Sequence, residues 1–245
     1  MITPSFLFLI LGTLSFKGGL IIVSILLLLF FIYLVFSIFS ISHSLFLHSL
    51  CRVKVKEKLV FLSFDDGPSD EFTPGILDIL KAGNIKATFF CTGFNALSHP
   101  ELLKRMIKEG HQVGNHTFSH DWRLLLKGSK RLEADILHAD KAFTSILDEE
   151  IQIFRPPYGV TNPALARAVK KFKLYSIGWD IRSLDTMKKD PEHLKKRIIK
   201  RLRPGSIILL HDNRNITGQI LSDLVDGIVS NGYKIVPLNA FLSPF

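Results

Sequence analysis

Charge is what the first fifty residues lack. Among them only Lys17 carries a formal charge, while all 22 acidic residues and 30 of the 31 basic ones lie beyond Leu50. A stretch with so little polar surface is not an ordinary water-facing domain. Cysteine is scarce as well. Cys51 and Cys91 cannot build a disulfide framework, and neither has a Cys or His neighbour at zinc-ligand spacing, so both are expected to be structural. Leu50 directly before Cys51 argues against a lipoprotein cleavage site. Repeats and low-complexity tracts are missing from the rest of the chain, and no nucleic-acid motif or basic stripe interleaved with aromatics occurs. The charge of residues 51–245, 30 − 22 = +8, therefore points to a solvated basic surface near lipid, with no nucleic-acid partner.

What fills the uncharged stretch is "LIIVSILLLLFFIYLVFSIFSI", residues 20–41. At about 1.5 Å per residue it is long enough to cross a hydrocarbon core of about 30 Å, and it reads as a transmembrane helix. The preceding residues 3–16 are also apolar and form either a short first helix, with "KGG" as the turn of a helical hairpin, or an interfacial lead-in. A cleaved signal peptide is disfavoured, because there is no basic leader and the apolar run is too long. Residues 1–50 are thus expected to be a membrane anchor and residues 51–245 one domain of ordinary size. Arg52, Lys54, Lys56 and Lys58 come just after the apolar region against one acid, Glu57. By the positive-inside rule they favour a cytoplasmic domain.

Beyond residue 57, seven apolar runs, "LVFLSF", "ATFFCTG", "HQVGNH", "IQIFRP", "LYSIGWD", "SIILLHD" and "YKIVPL", alternate with segments of helical periodicity at 73–83, 100–109, 129–148, 163–172, 191–202 and 217–231. This alternation predicts an α/β fold of parallel strands, either an open sheet or an incomplete barrel. Asp65 and Asp66, His116, Arg155, Asp180 and Asp185, and His211 each come after a run. They are expected at the C-terminal strand ends, where parallel α/β folds assemble their sites.

"FDDGP" sets two carboxylates side by side before a turn, and a turn alone would account for it. "NHTFSH" places His116 and His120 four residues apart, so on a helical turn both imidazoles would project from one face and could share an ion. With a carboxylate from Asp65 or Asp66, two nitrogens and one oxygen would leave one position open, as in a catalytic zinc site. One Asp would then bind the metal and the other take a proton from water. In "FRPPYG" two prolines without N–H groups precede the amide of Tyr158, which could be aimed at a ligand, and Arg155 could hold a carboxylate bidentately. His211, ending an apolar run, suits a general acid near neutral pH.

The ordered set "SFDDGP", "GNHTFSH", "RPPYG", "WDIRSLDT" and "ILLHD" resembles the polysaccharide deacetylase family, the NodB homology domain or carbohydrate esterase family 4, over about residues 55–240. The resemblance implies an irregular (β/α)7 barrel of parallel strands behind the N-terminal transmembrane region. It implies Asp65 as base and Asp66, His116 and His120 as ligands of a divalent metal, Zn2+ first, with Co2+ or another ion as alternatives. It further implies Arg155 orienting Asp65, the Tyr158 N–H as oxyanion donor, His211 as acid tuned by Asp185, and Leu209 and Trp179, with Tyr158, against the substrate. Ser63 replaces a common Thr, and Arg182 and Thr186 replace Asp and Trp of the fourth motif, which leaves the wall of the sugar groove open. The implied activity is removal of N-acetyl groups from amino sugars of peptidoglycan, chitin-like chains or exopolysaccharide. Competing readings are a deacetylase or deformylase of a lipid-linked amino sugar or other amide, and an inactive membrane-anchored carbohydrate-binding module. The family resemblance favours an extracytoplasmic domain against the basic cluster, and that is the expectation adopted.

Overall fold

The computed structural model describes residues 4–126, 128–187 and 190–242, with side chains from residue 18 onward. Helix α1, Pro4–Phe39, opens the chain. It runs unbroken through Lys17, Gly18 and Gly19, so no turn separates the first apolar segment from residues 20–39. Two glycines cost about 1 kcal/mol each in a helix, and neither removes a backbone hydrogen bond as proline would. Within α1, Gly18–Phe39 is long and apolar enough to cross a membrane, and its large side chains from Leu20 to Phe36 are almost all exposed. The helix ends two residues earlier than the apolar run, because Ile41 leaves it to become buried beside Gly159 and Gly178.

Eight short strands come next, in one parallel sheet. They are β1 Leu59–Asp65, β2 Thr88–Cys91, β3 Gln112–Asn115, β4 Ile153–Phe154, β5 Tyr175–Ser176, β6 Ile181–Arg182, β7 Ser206–His211 and β8 Lys234–Ile235. Their order is β5-β4-β3-β2-β1-β7-β6, with β8 beside the start of β1. The irregular barrel of parallel strands expected is present as a half-barrel, with eight strands in place of seven among the described residues. The run "LYSIGWD" is not a single strand: it yields β5 at one end of the sheet and leads into β6 at the other. The chain crosses the barrel gap at Ile177–Asp180, where Leu50 pairs with Ile177 and Arg52 with Ser206. Residues just after α1 therefore help to close the barrel.

Helices α2 Thr73–Ala82, α3 Gly93–Ser98, α4 Pro100–Lys108, α5 Ser129–Leu147, α6 Pro163–Lys171, α7 Pro191–Ile199 and α8 Asn215–Ser230 complete the domain. Only α3 escaped the periodicity, being too short to show one. In β1, Val60, Leu62 and Phe64 join the cluster packed with α2 and α8, while Phe61 belongs to the cluster inside the sheet's curve. The two-residue period of a strand then puts Ser63 and Asp65 on Phe61's face. In β7, Ile208 and Leu210 pack with the helices and Ile207 lies inside, which places Leu209 and His211 on the inner face too. Register brings Asp65 opposite His211.

Candidate active site

The inner face of β1 ends in a buried ion pair. Arg155, fully buried, donates from Nη1 to Asp65 Oδ1 at 2.6 Å and to Ser63 Oγ at 2.9 Å. Its Nε and Nη2 donate to the carbonyls of Ile177 and Gly178, and its guanidinium lies 4.0 Å from the centre of the Phe90 ring. The grip on Asp65 is thus through one nitrogen rather than bidentate, because the sheet's gap supplies carbonyls for the rest of the fork. Ser63 links Arg155 to the Ile208 carbonyl, to which its hydroxyl donates at 2.8 Å. Burial raises the Asp65 carboxyl pKa, with Arg155 the largest opposing influence, and the net displacement is upward.

Asp66 leaves the strand. Its φ of 75° is left-handed, a costly conformation for a residue with a Cβ, and it turns the second carboxylate away from the first. That turn brings Asp66 Oδ1 to 3.6 Å from His116 Nε2 and 3.4 Å from His120 Nε2, and these three ligand atoms lie within 4.8 Å of one another. The two histidines do not share a helical turn. They converge across a loop in which Thr117 (φ 66°) and His120 (φ 51°) are both left-handed. Asn115, fully buried, fixes the first of these, since its Oδ1 accepts from the Thr117 N–H at 2.7 Å and its Nδ2 donates to Asp140 and the Ile136 carbonyl.

His116 Nδ1 donates to the Arg155 carbonyl at 2.8 Å, leaving Nε2 as the nitrogen with a free lone pair. Burial and then the neighbouring His120 push its pKa down to about 3, so the imidazole is neutral, as a metal ligand must be. Two imidazoles and one carboxylate, with the His116 ring held from behind, fit a divalent cation.

Across the cleft, Asp185 Oδ1 accepts from His211 Nδ1 at 2.7 Å, while Oδ2 accepts from the His211 N–H at 2.7 Å and from Thr217 Oγ1 at 2.9 Å. Burial alone would lower the His211 pKa, but the Asp185 bond and charge outweigh it and raise it. Burial alone would raise Asp185, but the bonds from His211 and Thr217 leave it lowered. The pair thus favours the protonated form of His211 and leaves its Nε2 unused.

Asp65, Asp66, His116, His120 and His211 line one cleft of about 330 Å³ together with Tyr158, Trp179, Leu209, Arg182, Thr186 and Arg214. Tyr158 sits at φ 60°, directly after the two prolines, and its hydroxyl donates to the His120 carbonyl at 2.9 Å. Leu209 is buried at the cleft floor.

A family model for polysaccharide deacetylase matches residues 52–177. The peptidoglycan-N-acetylglucosamine deacetylase of Bacillus cereus is 33% identical over 196 residues, 78% of this chain and 91% of that one. The chain belongs to the polysaccharide deacetylase family. A longer member of that deacetylase family, the peptidoglycan deacetylase PgdA of Listeria monocytogenes serotype 1/2a, is 34% identical over 182 residues, 74% of this chain and 38% of its own length. A solved structure of a peptidoglycan N-acetylglucosamine deacetylase bound to a substituted benzamide superposes with a TM-score of 0.74 at 29% identity, covering 79% of this chain and 92% of that one.

Of the residues expected at this deacetylase's site, Asp65, Asp66, His116, His120, Arg155, Tyr158, Trp179, Asp185, Leu209 and His211 all meet in or directly beneath the cleft. Asp180 does not. Its carboxylate accepts from Ser206 Oγ, the Ile207 N–H and Arg203 at the opposite end of β7, where the gap-crossing segment needs an anchor. Sequence reasoning assigns no part to Asn115 or Asp212. Asp212 is buried and pushed up to about 7 by that burial, and Thr73 Oγ1 donates to it at 2.7 Å. It backs the turn after Asp66 so closely that a Cβ on Gly67 would collide with its carboxyl group. Asn115 adjoins His116 and Asp212 adjoins His211, and that adjacency is the signal the sequence offers for them.

Proposed function

We propose that this chain is a metal-dependent hydrolase that removes N-acetyl groups from amino sugars of a polysaccharide, with peptidoglycan-type, chitin-like or exopolysaccharide glycans as the substrate class. The observation that carries the reading is the convergence in one cleft of the Asp66–His116–His120 donor set, the Arg155–Asp65 pair and the Asp185–His211 pair. A divalent cation held by Asp66, His116 and His120, Zn2+ by its donor set with Co2+ as the alternative, supplies a Lewis acid for the acetyl carbonyl and acidifies water.

Asp65 accepts the proton of the attacking water on Oδ2, the oxygen Arg155 does not hold. The backbone N–H of Tyr158 donates to the carbonyl oxygen as negative charge grows there. His211, charged through its bond to Asp185, gives the Nε2 proton to the departing nitrogen. The C–N bond breaks, the water oxygen stays on the acetyl carbon, and acetate and a free amine leave. Leu209 packs against the methyl group, and Trp179 and Tyr158 flank the sugar.

The same reading makes α1 a membrane anchor and places the catalytic domain, residues 51–245, on the extracytoplasmic side. Arg52, Lys54, Lys56 and Lys58 then sit at the lipid boundary. A second substrate, a lipid-linked amino sugar, is favoured by one observation: the end of α1 is bonded to the loop that carries Tyr158, where Thr161 N–H donates to the Ile38 carbonyl at 2.9 Å and Thr161 Oγ1 to the Ser37 carbonyl at 3.2 Å.

Acetate release by the full chain in detergent micelles, on N-acetylglucosamine oligomers with and without chelator, tests the reaction. Release that stops with chelator and returns with Zn2+ is the expected result. Undiminished release from verifiably metal-free protein would overturn the metal dependence.

A further inference from the structure

The lining of the cleft is of two kinds. Tyr158 and Trp179 present aromatic surface, and a Cβ on Gly159 would lie 2.6 Å from the Trp179 ring. Arg182 from β6 and Arg214 from the turn after β7 line the same cleft with Thr186. Both arginines are exposed, and neither has an ion-pair partner among the described residues.

Of the carboxylates Asp65, Asp66 and Asp185, two have a basic partner and the third, Asp66, belongs to the donor set for a cation. Asp65 is paired with Arg155, Asp185 with His211, and Asp66 faces His116 and His120. A bound divalent cation adds further positive charge. Arg182 and Arg214 are therefore surplus cations beside a site whose aromatic lining suits the flat face of a sugar ring. Unpaired guanidinium groups in a concave site recognise carboxylate or phosphate, and their field persists where bulk water is partly excluded.

We propose that Arg182 and Arg214 select an N-acetylated amino sugar that carries, or directly adjoins, an anionic group, either a carboxylate or a phosphate, over a neutral glycan. The inference rests on the deacetylase reading above and names its substrate more closely. The acetamido group lies at Asp66, His116 and His120, the sugar ring against Trp179 and Tyr158, and the anion against the two guanidinium groups.

The test compares three substrates with the full chain in detergent micelles: N-acetylglucosamine tetramer, an alternating tetramer with N-acetylmuramic acid whose lactyl carboxylates are free, and an alkyl phosphodiester of N-acetylglucosamine. The quantity read is the ratio of kcat/KM for each anionic substrate to the neutral one, in low and high salt. At low salt at least one ratio is expected at about tenfold or more, falling as salt screens the arginines. The substrate that shows it identifies carboxylate or phosphate as the source. Arg182→Gln with Arg214→Gln should bring the ratio to about one, and Arg182→Lys with Arg214→Lys should restore part of it. Ratios near one in the native protein, or ratios that the glutamine variants leave unchanged, would overturn the proposal. Binding of the same three glycans to the Asp65→Asn protein separates the two readings. Absence of turnover on all substrates sinks the reaction, whereas the binding ratio still decides for or against anion recognition.

Discussion

Asp65 and Asp66 share a peptide bond and almost nothing else. One completes a strand and points into the barrel against a buried arginine; the other, in a left-handed turn, faces two histidines. Their roles separate experimentally. Asp65→Asn should lower kcat by about 10²–10⁴, the usual worth of a general base, while zinc affinity measured by competition with a chromophoric chelator stays near wild type. Loss of metal together with activity would place Asp65 among the ligands. The His211–Asp185 pair carries a pH prediction. Asp185 raises the His211 pKa; on the proposed mechanism His211 must be protonated to act as the acid, so activity should persist with rising pH until it loses its proton. Asp185→Asn removes the raising influence, so the alkaline limb of kcat/KM should move to lower pH. A limb that does not move would free His211 of the acid's role. These residues were legible in the sequence because each motif holds its chemistry locally. The single-nitrogen grip of Arg155 was not, since the carbonyls that occupy the rest of its fork come from Ile177 and Gly178 across the sheet's gap.

Among the elements, loops do what strands and helices were expected to do. The His116–His120 spacing suggests a helix, yet the site is formed by two left-handed residues, neither of them glycine, and residue type gives no warning of that. Asn115 is the support. Asn115→Ala should weaken zinc binding by about 10–100-fold, as removal of a ligand's positioning bonds typically does, and lower thermal stability because Asp140 loses the Asn115 amide that donates to it. Unchanged zinc affinity would mean the loop holds its shape without Asn115. The division of "LYSIGWD" was likewise hidden. Periodicity reports a buried apolar run, but not that the chain leaves the sheet at Ile177 and re-enters at its far end.

For the whole molecule, the order of strands and helices and the composition break near Leu50 were readable from sequence. The contact between α1 and the domain was not, because it joins residues more than a hundred positions apart. The core draws on side chains from before the composition break: Ile41 and Leu47 are buried, and Ser49 Oγ bonds to Ser176 Oγ at 2.7 Å. A fragment beginning at residue 51 should therefore unfold at a lower temperature than one beginning at residue 40, by several degrees for each kcal/mol of lost packing. Equal melting temperatures would show that residues 40–50 add nothing. In the full chain, Thr161→Val should cost about 1 kcal/mol for the one lost side-chain hydrogen bond, to the Ser37 carbonyl, read as a lower melting temperature in detergent.

On the reading of α1 as an anchor, Thr161 would also limit how far from the membrane the cleft can work. A domain on a flexible tether of n residues ranges over roughly 5–6 Å × √n, so distance from the membrane becomes a distribution. Here carbonyls in the last turn of α1 are tied to the buried Thr161, three residues beyond the cleft-lining Tyr158. Were α1 embedded in a bilayer, the cleft would work at one height, and glycan beyond that thin layer would be out of range until growth or diffusion delivered it.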